Sequence, residues 1–158
     1  MAPILIVYAS RTGFTARFAL ALARTLHATV LEAHFVTATD LRNCRLLLYG
    51  GHLARNQVSG WPAFCRRFRS VLPAHVLLFG TGVKPRQFVS FAKVKQTHAA
   101  RCGMAPEWFY FPGIIDVGQL PLGIRLQVAW AKRRYSAVSP ESLTTTLAPC
   151  LHAVAKLV

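Results

Sequence analysis

Acidic side chains are scarce in this chain. Its 158 residues hold 5 Asp+Glu against 19 Lys+Arg, a formal net charge of +14, and no acid occurs between Asp40 and Glu107. That deficit argues against a cationic partner and for phosphate, nucleic acid, anionic lipid or an acidic protein, without choosing among them. Cysteine stands only at Cys44, Cys65, Cys102 and Cys150. With no CxxC pair and no Cys/His cluster at zinc spacing, a small zinc-stapled fold is excluded. A chain of this length buries a core without covalent staples, so the four read as buried thiols in a reducing compartment. No long uninterrupted apolar run exists either. The longest poorly charged stretch, Trp108 to Ile124, is broken by Pro112, Asp116 and Pro121 and does not span a bilayer. Met1-Ala2-Pro3 leads into an apolar strand with no basic leader or cleavage pattern. The expectation is a cytoplasmic protein, soluble or peripheral to the inner face of the cell membrane.

What is present is a globular composition, 53% hydrophobic, which excludes a disordered chain and suits one domain over residues 1–158. Ile4 to Tyr8, Arg45 to Tyr49, His75 to Phe79 and Trp108 to Phe111 are short continuous apolar runs, the mark of strands buried on both faces. Thr29-Val30-Leu31 is a briefer one. Between them, Phe14, Phe18, Leu22 and Leu26, then Trp61, Phe64, Cys65 and Phe68, recur at helical spacing. Thr39 to Asn43 reads as a short helix started by Asp40, and Phe88 to Arg101 as a longer one. Ser139-Pro140-Glu141 caps a last helix whose stripe is Leu143, Leu147, Leu151, Val154 and Val158, with a kink at Pro149. Strands alternating with helices predict an α/β fold: an open, five-stranded parallel sheet covered on both faces. Residues 112–138 form an insertion before the last helix.

In such a sheet the ligand lies beyond the carboxyl ends of the strands, where strand order reverses. Three loops end there: Ser10 to Thr15, Gly50 to Gly60, and Gly80 to Gln87. The first offers three hydroxyls, a glycine and an immediate helix start, a nest of donors suited to a phosphate monoester. The same residues also make an ordinary hydroxyl-capped turn. The loop is neither GxGxxG nor GxxxxGK[S/T], so the dinucleotide fingerprint and the triphosphate loop are both absent.

At these residues the chain resembles the flavodoxin family. Ile4 to Leu26 matches that family's opening strand, phosphate loop and first helix, with S/T-x-T-G-x-T complete at Ser10, Thr12, Gly13 and Thr15. The resemblance implies a three-layer sandwich with the strand order 2-1-3-4-5, and FMN as cofactor, its phosphate held by Ser10, Arg11, Thr12, Gly13, Phe14 and Thr15. It further implies a flavin ring flanked by Gly51, His52, Leu53, Ala54, Arg55 and Asn56 on one side. Thr81, Gly82, Val83 and Lys84 flank it on the other. Two departures stand out. Flavodoxins are acidic and line the ring with aromatics, whereas this chain sets Arg55, Lys84 and Arg86 there, with no Trp or Tyr in either ring loop. A basic surface and an apolar insertion are more similar to the flavodoxin-domain branch containing menaquinone-dependent protoporphyrinogen IX dehydrogenase.

If the cations face the ring they raise its two-electron potential and favour an organic hydride donor; otherwise they are solvated surface. His52 is either a proton relay or a structural loop residue, and no catalytic residue is named. Asp116 either orients a substrate or closes a turn. Residues 120–134, with Leu122, Leu126 and Trp130 beside Arg125, Lys132 and Arg133, suit contact with an anionic membrane or a quinone, or packing in a homodimer. Three functions compete: an FMN oxidoreductase acting on a large conjugated substrate such as protoporphyrinogen IX with a quinone acceptor; a basic electron-transfer protein docking on an acidic redox partner; and a nucleic-acid binder. The last is disfavoured because its cations are not interleaved with exposed aromatics.

Overall fold

The computed structural model describes residues 3–11, 13–113 and 143–158. Five parallel strands form the sheet: β1 (Ile4–Ala9), β2 (Thr29–Glu32), β3 (Leu46–Ala54), β5 (His75–Gly82) and β6 (Glu107–Pro112). Their order is β2-β1-β3-β5-β6, which is 2-1-3-4-5 when the parallel strands alone are counted. The register runs from Leu5 opposite Thr29, through Leu5 opposite Leu47 and Leu47 opposite Val76, to Leu77 opposite Glu107. A short β4 (Gln57–Val58) folds back antiparallel on β3. Helices α1 (Phe14–Leu26), α2 (Ala38–Arg42), α3 (Trp61–Phe68), α4 (Phe91–Cys102) and α5 (Leu143–Leu157) complete the described fold.

Side chains alternate across a strand, so the apolar runs feed two cores. Ile6, Leu46, Leu48, Leu77, Phe79, Phe109 and Phe111 face Phe18, Leu22, Leu147 and Val154 of α1 and α5. Leu5, Val7, Leu47, Tyr49, Leu78, Trp108 and Tyr110 face Trp61, Phe64, Phe68 and Val94 of α3 and α4. All four cysteines are buried and unbridged. Burial raises their thiols, Cys102 to about 11 and Cys150 to about 12, which makes them packing groups and not nucleophiles.

Local differences from the sequence reading have physical reasons. The second loop is not a loop throughout, because β3 runs on to Ala54 and turns through Arg55 and Asn56 into β4. Asp40 does not cap α2. Thr37 does, accepting from the Asp40 N–H, while the Asp40 carboxylate accepts from the Thr37 N–H at 2.8 Å, a reciprocal capping box. The Thr37 hydroxyl also donates to that carboxylate, and it and the Thr37 N–H hold the Asp40 carboxyl below its ordinary pKa. The segment 86–101 is a 3-10 turn, Arg86–Phe88, followed by α4, which starts where the Ser90 hydroxyl accepts from the Lys93 N–H. In α5 the helix runs through Pro149 as one element, and Leu143 and Val158 are exposed; Leu147, Cys150 and Val154 form its buried stripe. The expectations for Thr12, for the proposed start at Ser139 and for residues 114–138, including Asp116 and the 120–134 segment, lie outside the described residues.

Candidate functional site

The carboxyl ends of β1, β3 and β5 open into a cleft of about 1230 Å³. Pockets for small ligands commonly measure about 300–1,000 Å³, so this one is ample for a small organic ligand. All three loops singled out in the sequence reach it. Ser10, Arg11, Phe14 and Thr15 line it from the first, His52, Leu53, Ala54 and Arg55 from the second, and Thr81, Gly82, Val83 and Lys84 from the third. Gly13, Gly51 and Asn56 do not line it. Gly51 is buried in β3, where a Cβ would collide with the Ser59 carbonyl, and Asn56 is exposed in the turn.

The first loop is built around Gly13, at φ 77°, which is the N-cap of α1 and carries no capping side chain. Its own N–H donates to the Ser10 hydroxyl at 3.0 Å. Among the described residues no side chain caps the opening N–H groups of α1, at the positive end of the helix dipole. Within the first turn, the Thr15 hydroxyl lies 2.8 Å from that of Thr81, both residues fully buried. Each hydroxyl carries one proton, and the contact between them uses only one. The other proton remains available, since neither hydroxyl has a second partner among the described residues. This pair joins the first and third loops across 66 positions of sequence.

The second and third loops are fixed from below by tyrosines. The Tyr49 hydroxyl donates to the Ser59 carbonyl at 3.3 Å, and that of Tyr110 to the Lys84 carbonyl at 2.7 Å. Both rings also line the cleft, with Phe64 beside Tyr49 at 4.9 Å between ring centroids. The cleft lining thus includes aromatic residues from outside the two ring loops. They come from strand interiors and α3, and the clue was that Tyr49 and Tyr110 sit at strand positions whose side chains share a face with α3. Burial pushes the Tyr49 phenol well above its usual range, so it does not ionise.

His98 was not singled out from sequence. Wholly buried in α4, it accepts the Val58 N–H at Nε2, 3.1 Å away, and so ties α4 to the β4 hairpin. Its proton therefore sits on Nδ1, which has no partner among the described residues. Desolvation lowers its pKa to about 4. Gln57 Oε1, in the cleft wall, is likewise buried without a partner among them.

Charge in the cleft is one-sided. Arg11, Arg55, Arg67 and Lys84 line it, with Glu32 as the only acid among the described lining residues. His52 has its pKa lowered, first by desolvation and then by the Arg11 charge, which keeps it neutral near pH 7. One assignment changes: Arg86 lies over the Phe91 ring at 5.6 Å and does not line the cleft. Arg67, exposed on α3 with its guanidinium over the Phe68 ring at 4.7 Å, lines the cleft as well. Among the described residues no group of three or more His, Cys, Asp or Glu could hold a metal ion, and no helix is long and apolar enough to cross a membrane.

No family model matches this chain, and no curated protein matches it. Solved structures do. The Trp repressor binding protein from Bacillus subtilis superposes with a TM-score of 0.50 at 14% identity, covering 86% of this chain and 99% of that one. A flavodoxin, WrbA-like protein from Agrobacterium tumefaciens gives 0.49 at 13% identity, over 85% and 99%. The apo form of an NADH:FMN oxidoreductase gives 0.48 at 16%, over 92% and 94%. At such identities the likeness concerns backbone arrangement alone. With the sheet order 2-1-3-4-5 and the cleft above its switch point, the chain has a flavodoxin-like fold.

Proposed function

We propose that this chain is a single-domain, FMN-binding oxidoreductase, with the FMN phosphate at the start of α1. The observation that carries the reading is the first loop: an uncapped helix start after Gly13, beside a buried Thr15–Thr81 pair with one hydroxyl proton to spare. A phosphate dianion accepts from both. Its donors are Ser10, Thr12, Thr15 and the backbone from Arg11 to Thr15. The residue set also fits the rest of the cofactor. His52 to Arg55 and Thr81 to Lys84 stand on either side of the cleft, and Gln57 Oε1 is an unused acceptor in its wall.

Bound FMN supplies two-electron exchange with an organic substrate. Around it, Arg11, Arg55 and Lys84 furnish positive charge that raises the reduction potential, and Tyr110 holds the Lys84 loop in place. Such a site favours taking hydride equivalents from an organic donor over delivering low-potential single electrons. We extend the reading to a large tetrapyrrole donor of the protoporphyrinogen IX kind, with a quinone as acceptor. Residues 120–134 are the proposed contact with that quinone or with an anionic membrane.

The test uses Gly13. A Cβ there meets nothing within 4 Å, and Asp and Asn both tolerate a positive φ. Gly13→Asp sets a carboxylate against the phosphate, while Gly13→Asn is its neutral twin. FMN affinity, read by quenching of flavin fluorescence, is expected to be at least tenfold weaker in the Asp variant, about 1.4 kcal/mol. Equal affinities in the two variants would place the phosphate elsewhere.

A further inference from the structure

We propose that the part of the cleft not taken by the cofactor binds a small organic polyanion, gripped by Arg55, Arg67 and Lys84. The inference rests on the flavin reading only for which end of the cleft is filled. Three elements deliver these cations independently: the β3–β4 turn, the outer face of α3 and the loop after β5. All three are exposed at the rim, whereas the Thr15 and Thr81 hydroxyls lie deeper. Glu32 is their only acidic counterpart in the described lining. Their mutual repulsion is relieved by an anion, and Tyr49, Phe64 and Tyr110 add apolar lining beside the charges.

Arg55 adds an independent argument. It sits at φ 51°, in the left-handed region where Asn or Gly is the low-energy choice. A long cation held there at a cost in backbone energy, on the lip of the cleft, fits a ligand role better than a turn role. The expected occupant has two or more carboxylate, sulfonate or phosphate groups on a planar ring system. An acidic protein surface would need the cations to project from an open face, but here they ring a concave site.

Naphthalene-1,5-disulfonate and its neutral counterpart naphthalene-1,5-diol are the probes, titrated by calorimetry into FMN-loaded protein. The dianion is expected to bind at least tenfold more tightly than the diol, and the preference should shrink between about 20 mM and about 300 mM salt. Arg67→Gln should weaken the dianion at least fivefold and leave the diol and FMN affinity unchanged; Lys84→Gln should weaken the dianion at least fivefold and leave the diol unchanged. Arg24→Gln, an exposed charge at the end of α1 outside the cleft, controls for net charge and should change nothing. Equal affinity for the two probes would overturn the proposal, and so would an equal loss in Arg24→Gln. Binding of poly-glutamate without binding of the disulfonate would also overturn it, in favour of a protein docking rim. A protein that takes up no FMN but binds the disulfonate through Arg67 and Lys84 would sink the flavin reading and keep this one.

Discussion

His98 shows how a single buried side chain shapes the site from behind. It does not line the cleft, yet its bond to Val58 holds the hairpin whose residues form one wall. Burial keeps the imidazole neutral, with a pKa of about 4 against an ordinary 6.5. Between those values the unfolded chain binds the proton and the folded one does not. Stability is therefore full above pH 6.5 and falls as the pH drops toward 4, by about 3 kcal/mol in total. His98→Gln keeps an acceptor for the Val58 N–H and removes the titration. Urea unfolding at about pH 7 and about pH 4 should show the wild type losing about 3 kcal/mol more than the variant; parallel losses would mean that His98 is solvated. From sequence, His52 attracted notice because it follows a glycine at a strand end. His98 could not, because nothing in a helical run reveals which residue meets a backbone N–H forty positions away.

At the scale of elements, the β3–β4 hairpin decides the shape of the cleft. Two consecutive residues, Arg55 and Asn56, take positive φ at 51° and 57°, as the tight two-residue hairpin between Ala54 and Gln57 demands. Asn suits this and Arg does not. The double substitution Arg55→Asn with Asn56→Gly gives the turn its low-energy residue pair and relieves the backbone. It should raise unfolding stability by about 1 kcal/mol, measured in urea. The same variant should bind the disulfonate less tightly. A variant no more stable than the parent would show that the turn carries no strain. The hairpin went unread because its alternation is interrupted by glycines in β3 and its turn lacks the usual Asn-Gly signal. The helices α1 and α3 were legible because their apolar stripes are complete in the local sequence.

For the whole molecule the dominant fact is the charge of +14. Cations on α1, α3 and α4 repel one another over a compact body, and screening reduces that cost. Raising NaCl from about 10 mM to 300 mM, close to a fivefold shorter Debye length, should therefore stabilise the fold. A gain of about 1 kcal/mol corresponds to a rise in Tm of roughly 2–4 °C at this chain length. Inorganic phosphate at equal ionic strength should add to it, as the site proposed at the start of α1 would bind it. A melting temperature indifferent to salt would show that the charges are too dispersed to matter.

Sequence alone determined the layered α/β architecture and singled out the loop proposed to hold phosphate, because both are written in short-range pattern; the strand order came with the resemblance that loop carries. Apolar runs of four or five residues specify strands buried on both faces, stripes at helical spacing specify the covering helices, and Ser10, Gly13 and Thr15 lie within six positions. Only the tertiary structure decided what faces the cleft. Thr15 meets Thr81, Tyr110 meets the Lys84 carbonyl, Arg67 lines the cleft and Arg86 turns out onto Phe91. Those choices depend on which strand ends lie side by side and how far each side chain reaches across them. Neither is encoded by the residues on either side of it in the chain.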